Sequence, residues 1–450
     1  MEYCFIEGVQ DIPHLNSRAV FTSQNTENVF REDDEILPVN IDDSLSYMPW
    51  GADNQMPYKV MTLIEADETM TTCLQFVSEL CYGSGLQYNT ENCTELVRED
   101  IEDFFLDNSM ASYFMGVSQD LKHYAFAVSV IILNKEGNKI TSIYRKNACY
   151  CRFSPAKDGV IENVIYGKWR KNVTERKEVE VIELLNPTSP WRDLAVRMGK
   201  CPGDDGKTMV RTSSRKFAIL TKVPTPDSTY YPIPFYASLF KSKWYDIKRL
   251  IATAKKSKLQ NAAPIKYHIE ISEKYFEGIF KREGITDRKK RQEKVVAVKK
   301  EILDFLTGVV NSGKVWFSTF YVTPDGKEQH DIVINKIDTD KEGGDWESDI
   351  QESVNIMCFA LRVHSNLVGS VPGKSQSNNS GSDKRELYTI AQALQKPYHD
   401  ILFLPHRMVI KFNGWKGAYP ECPFIQLTTL DENKDAKEVK VETQKVGFTK

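Results

Sequence analysis

From Pro57 the apolar positions Val60, Leu63 and Ile64, then Leu74, Val77 and Leu80, recur at helical spacing, and Gly83 and Gly85 after Tyr82 close the run. A second helix is predicted over residues 94–110. Beyond Tyr124 the pattern changes to short β-branched and aromatic runs at 125–133, 139–144, 160–166, 179–185 and 217–221, separated by turn-forming residues, so this stretch is β-rich. Pro232 and Pro234 introduce a long helix over 235–261, with Phe240, Trp244, Ile247, Ile251 and Ala254 along one seam. A strand at 265–271, a helix at 273–282, a very basic piece (Arg288, Lys289, Lys290, Arg291) and a helix at 295–310 follow. The runs 315–322 and 331–337 then read as a hairpin across Pro324, Asp325 and Gly326. Another long helix covers 346–367, a Gly/Ser/Asn/Pro loop covers 369–381, and a further helix opens at Ser382. The expected class is α+β.

A polar loop joining two helices of this kind is the natural place to look for function. The 450 residues carry a formal charge of only −3, so no global field marks a nucleic-acid binder and any such role must come from local segregation. The helix over 235–261 supplies that segregation: Lys241, Lys243, Lys248, Arg249, Lys255, Lys256 and Lys258 stand there against Asp246 alone. A solvated helix face explains those charges when the helix is taken alone.

The chemistry of a catalytic site is harder to find. Gly369 to Ser375 and Gly203 to Thr208 resemble phosphate loops, but neither has the G-x-x-x-x-G-K-[ST] spacing, and Pro372 removes a donor where a cradle needs one. The cysteines (Cys4, Cys73, Cys81, Cys93, Cys149, Cys151, Cys201, Cys358, Cys422) lack paired zinc spacing and read as reduced thiols. His399 and His406 flank Pro405, which is expected to spoil a shared helical face, and both read as satisfied structural or surface histidines. Acid pairs such as Asp42/Asp43 stand in polar loops. No cofactor or metal is expected, and no signal peptide or membrane span is indicated.

Several segments, taken in order, resemble the portal proteins of tailed bacteriophages and prophages. They are Tyr47-Met-Pro-Trp50-Gly51-Ala-Asp53-Asn54-Gln-Met-Pro57, Leu80-Cys-Tyr82-Gly83-Ser-Gly85-Leu86, the end of the basic helix at Leu259-Gln260-Asn261-Ala262-Ala263-Pro264, and Gly313-Lys-Val-Trp316-Phe. Phe359-Ala-Leu-Arg362-Val363-His364 and Ser380-Gly381-Ser382-Asp383-Lys384-Arg385-Glu386 complete the succession.

The resemblance implies an elongated subunit of wing, stem, clip and reduced crown. An irregular lead-in occupies 1–45, the first part of the wing 46–231, the first stem helix 232–263, the clip 264–340, the second stem helix 341–368, a tunnel loop 369–381, the wing's long helix and following strand 382–415, and a reduced crown or disordered tail 416–450. It further implies a homo-oligomeric ring of about twelve subunits at one capsid vertex. Double-stranded DNA is packaged and ejected through it without sequence preference. The implied partners are the terminase large subunit, the major capsid protein and head-completion or tail-connector proteins, in the virion and, during assembly, the host cytoplasm. Lys374, Ser375, Gln376, Ser377, Asn378 and Asn379, with Lys384 and Arg385 nearby, would face the DNA; the basic stem helix would serve similarly or pair with acids of a neighbouring subunit. The competing readings are a nucleic-acid-acting enzyme with an unrecognised acidic metal site, and another head-to-tail connector ring protein.

Overall fold

The computed structural model describes residues 37–170, 175–203, 209, 211–226, 230–261, 267–307, 320–322, 328–330, 332–336, 346–368 and 381–427. Two compact units divide the chain: one built from the residues up to Ile251 and from Glu347 onward, the other from Ala252–Trp346.

The first unit opens with a short antiparallel pair, β1 (Val39–Asp42) and β2 (Leu45–Tyr47), followed by α1 (Met56–Glu65) and α2 (Glu68–Tyr82). The apolar spacing from Val60 to Leu80 predicts one helix, yet there are two. Asp67 adopts an extended conformation and its carboxylate accepts the Met70 N–H at 2.9 Å, so a new helix is capped where the first ends. After β3 (Gln87–Asn89) come α3 (Glu95–Asp107) and α4 (Met110–Tyr124), separated by Ser109 at φ +45°. Helix α4 is not announced by apolar period, because Gly116, Ser118, Asp120 and Lys122 share its buried positions with Phe114, Val117 and Leu121.

Strands β4 (Phe126–Leu133), β5 (Ile140–Lys146), β6 (Cys151–Phe153), β7 (Asn163–Gly167) and β8 (Val179–Leu184) follow; helix α5 (Pro190–Arg197) then leads to β9 (Lys216–Lys222). They form one sheet in the order β5-β4-β9-β8-β7-β6, antiparallel except between β8 and β9. Alternation along β4 sends Phe126, Val128 and Val130 into one core and Ala127, Ile131 and Leu133 into another, so the sheet is covered on both faces. Cys149 and Cys151 are both buried free thiols, Cys151 opening β6 and Cys149 just before it.

A short turn of helix, α6 (Ser238–Lys241), precedes α7 (Trp244–Asn261). The expected continuous helix is broken at Lys243, whose φ of +68° is costly for a residue with a Cβ. The break changes the phase: Tyr245, Lys248 and Ile251 are buried, whereas Ile247, assigned to the apolar seam, is exposed, as is Leu250.

The second unit contains the distal part of α7, then β10 (Tyr267–Ile271), α8 (Glu273–Arg282), α9 (Arg288–Thr307), β11 (Phe320–Val322), β12 (Glu328–His330) and β13 (Ile332–Lys336). The hairpin pairs β11 with β12, while β13 pairs antiparallel with β10, correcting the expected pairing of 315–322 with 331–337. Val298, Ile302 and Ile332 are buried here, with Ile269, Ile271, Tyr275, Phe276 and Ile279 packed around them. The basic piece is the first turn of α9 rather than a linker before it.

The chain then re-enters the first unit. Helix α10 (Trp346–Ala360) stops near Arg362, at φ +57°, before the single turn α11 (Ser365–Val368), so the helix expected over 346–367 is interrupted. Helices α12 (Gly381–Ala393) and α13 (Lys396–Asn413) follow, the second starting with Pro397 in its first turn, and β14 (Tyr419–Glu421) pairs with β3. Helix α13 continues through Pro405, so the proline does not separate His399 from His406. The His399 Nε2 lies 2.8 Å from the Cys81 carbonyl oxygen and the His406 Nδ1 lies 2.8 Å from the Tyr88 hydroxyl. His406 Nε2, fully buried, has no hydrogen-bond partner, so that histidine is structural but only half satisfied.

Candidate nucleic-acid interface

The Trp50 to Asn54 turn carries the first part of the resemblance, and its chemistry is structural. Asn54 tolerates φ +58° and accepts the Trp50 N–H at 3.0 Å, while Trp50 stacks on Tyr231 with ring centroids 4.7 Å apart. Arg152, fully buried, donates to both the side chain and the backbone carbonyl of Asn54 and to the Cys149 and Cys151 carbonyls. Its guanidinium lies 5.5 Å from the Trp50 ring and 5.2 Å from the Trp169 ring. This turn fastens the chain's entry into the sheet and leaves no donor of Arg152 aimed at solvent.

The basic residues expected to face DNA fall into distinct environments. Lys241 is exposed on α6 and Lys243 half-buried at the break; Arg249 is exposed, its guanidinium 5.6 Å from the Tyr245 ring. Lys255 and Lys256 are exposed on the part of α7 within the second unit, and the side chain of Lys258 lies outside the described residues. Lys384 is exposed and Arg385 half-buried near the start of α12. Lys374, Ser375, Gln376, Ser377, Asn378 and Asn379 lie outside the described residues.

Lys248 requires a correction. It is buried, and its ammonium reaches Asp67 Oδ2 at 2.8 Å, Thr69 Oγ1 at 2.7 Å and Glu68 Oε1 at 2.8 Å. The bond from Lys248 holds the Glu68 carboxyl below the usual carboxylate range. One turn earlier Tyr245 donates from its hydroxyl to the Leu63 carbonyl at 2.6 Å, and burial pushes its phenol up to about 12. These two side chains clamp α7 onto the junction of α1 and α2. A lysine tied to three oxygens of its own chain cannot also meet a DNA phosphate. The missed signal is Asp67-Glu68-Thr69, a helix N-cap whose carboxylate and hydroxyl are also a ready acceptor set for a cation.

Helix α10 is fastened similarly. Val354, Met357, Cys358 and Leu361 enter the same core as Tyr245, and Cys358 Sγ sits 4.0 Å from Cys73 Sγ of α2. Its outward side carries Phe359, 85% exposed. Among the described residues no group of three or more His, Cys, Asp or Glu side chains is placed to hold a metal ion, and no helix is long and apolar enough to cross a membrane.

This mixed α+β fold is one shared with chains of phage-like particles. It resembles a chain in the neck of the native gene transfer agent (GTA) particle computed with C12 symmetry, at a TM-score of 0.54 and 12% identity, covering 89% of this chain and 90% of that one. A chain in the neck of the empty GTA particle computed with C6 symmetry matches at 0.53 and 12% identity, over 84% of this chain and 87% of that one. A chain in the virion of the native GTA particle matches at 0.53 and 11% identity with the same coverages. At these identities the likeness establishes the fold. No family model matches the chain, and no curated protein matches it.

Proposed function

We propose that this chain is a portal-type protein: a ring of about twelve copies at a capsid vertex, through which double-stranded DNA enters and leaves a phage-like head. The observation that carries the reading is the fold shared over most of both chains with a component of a particle neck computed with C12 symmetry. In this role the protein has no chemistry of its own. It belongs to the virion, and to the host cytoplasm while heads assemble. The terminase large subunit, the major capsid protein and the head-completion or tail-connector proteins are its partners.

A channel that lets DNA slide needs contacts with phosphates that are sequence-independent and screened by salt. Lys374 among Ser375, Gln376, Ser377, Asn378 and Asn379 supplies one cation in a polar loop, and the ring repeats it as a collar. Lys384, Arg385, Lys241, Lys243, Arg249, Lys255, Lys256 and Lys258 are the further candidates; Lys248 is removed from the set. Changing Lys374 to Ala leaves the ring intact and alters packaging or retention of DNA, measured as DNA per filled head. Loss of the ring instead would place that loop in a subunit contact.

The exposed apolar side chains Ile247 and Leu250 of α7, Phe359 of α10, Ile390 of α12 and Leu394 just after it support subunit contacts in these regions. Phe359→Glu therefore abolishes ring assembly in native mass spectrometry. It changes the stability of the single chain by no more than about 0.5 kcal/mol, as expected for a surface position. Retention of full rings by Phe359→Glu would remove α10 from the contact. The enzyme alternative predicts magnesium-dependent nuclease or ATPase turnover, and we expect none above background.

A further inference from the structure

In the second unit, α8 ends and α9 begins around a closed turn. The Glu283 N–H donates to the Ile279 carbonyl at 2.9 Å, Gly284 takes φ +68°, and the Ile285 N–H returns to the Phe280 carbonyl at 2.9 Å. Asp287 then caps α9, its carboxylate accepting the Lys289 N–H at 2.7 Å and its carbonyl the Arg291 N–H at 3.0 Å. Arg291 Nε donates to the Ile285 carbonyl at 2.9 Å, and its guanidinium lies 5.2 Å from the Phe280 ring. Backbone and side chains together hold this turn in one geometry.

Six exposed cations border it: Lys281 and Arg282 at the end of α8, and Arg288, Lys289, Lys290 and Arg291 at the start of α9. Two of the acids nearby are engaged within the turn, Glu283 with Lys294 at 2.7 Å and Asp287 as the cap, while Glu293 is exposed one turn further along α9. The two ends of the turn differ in what the fold explains. Cations at a helix C-terminus complement its negative pole, so Lys281 and Arg282 stabilise α8. Four cations at a helix N-terminus face the positive pole, and the first turn of α9 contains no acid, which leaves the Asp287 cap alone to oppose them. That arrangement works against the helix and suits an external anion.

We propose that this turn is a docking site for the phosphodiester backbone of double-stranded DNA, made of residues that the channel reading does not use. Protein interfaces are anchored by buried apolar or aromatic side chains, and among the described residues 281–294 no large apolar side chain is exposed. Lysines and arginines without such an anchor match a repeated phosphate charge and read no sequence.

The test is fluorescence anisotropy of a labelled random-sequence duplex against the full chain over a salt series, with oligomeric state recorded in the same samples. The triple variant Arg288→Gln, Lys289→Gln, Lys290→Gln keeps Arg291 and its structural bonds. It weakens binding at low salt by at least about tenfold and makes the slope of log K against log salt shallower by roughly 2 to 3. Arg288→Lys retains binding, and the melting temperature of the triple variant does not fall. Undetectable binding by the wild-type chain, an unchanged slope in the triple variant, or tighter binding of polyglutamate than of duplex would each overturn the proposal, the last by assigning the turn to an acidic protein. Because the titration reads monomer and ring alike, failure of the ring reading leaves this result interpretable, and the reverse holds.

Discussion

The two units handle charge in opposite ways. In the first, cations that enter the interior are fixed by named oxygens: Arg145 grips Asp120 through two bonds of 2.6 and 2.7 Å, Arg152 is enclosed by carbonyls, and Lys248 is held by Asp67 and Thr69. In the second, the buried cluster is small and the cations at the α8–α9 turn stay at the surface. One unit is thus a charge-locked scaffold, and the other, the more basic of the two, carries an open, anion-seeking surface. A local lysine count alone does not separate Lys248 from Lys290, which both stand in basic stretches; helix phase and neighbouring acceptors do.

The largest test of that contrast is Lys248→Met. Removing one partner of a buried pair strands the Asp67 carboxylate, and we expect a loss of about 3–5 kcal/mol in urea unfolding. DNA binding by the remaining folded protein should be unchanged. A stable Lys248→Met with weakened DNA binding would return Lys248 to the interface and break the comparison.

A buried histidine gives the next largest effect. Burial pushes His406 down to about 3 from its ordinary 6.5. Between those values the unfolded chain takes up a proton that the folded imidazole refuses, so this contribution is fully present above pH 6.5. It is lost by about 1.4 kcal/mol for each pH unit as pH falls toward 3. In His406→Gln the acid limb of the stability profile becomes shallower by that amount. An identical limb in the two proteins would mean that His406 is charged in the fold.

Smallest is Lys290→Glu at the start of α9. Replacing a cation with an anion at the positive end of the helix should raise stability by about 0.3–1 kcal/mol while DNA binding weakens. Destabilisation would show that Lys290 has a structural partner and would blur the line between the two units.

The strands were the most legible part of the chain. Runs of β-branched and aromatic residues bounded by turns locate β4, β5, β7, β8 and β9 to within a few residues. Helix α4 was hidden because Asp120, which accepts from Arg145 on β5, and Lys122, whose ammonium lies 3.0 Å from the Tyr398 ring centroid, interrupt its apolar stripe with groups satisfied only in the folded chain. Desolvation raises the Asp120 carboxyl while Arg145 opposes it, a balance invisible to any local window. The seam predicted along 240–254 failed for a comparable reason. Lys243 at positive φ resets the helical phase, so Tyr245 and Lys248 turn inward where Ile247 was expected.

The candidate site was legible as composition and less so as geometry. The basic stretch over 241–258 is real as a count, but its described members are a core anchor, Lys248, one half-buried side chain, Lys243, and four exposed ones. The four cations opening α9 were visible as a very basic piece. Only the placement of the helix start at Arg288 shows that they oppose the helix they belong to.

Electron microscopy of the purified protein, viewed down the particle axis, separates a ring from a single chain. Closed rings of about twelve copies around an open hole are expected. A monodisperse monomer at assembly concentrations, with no ring in any class average, would contradict the ring reading.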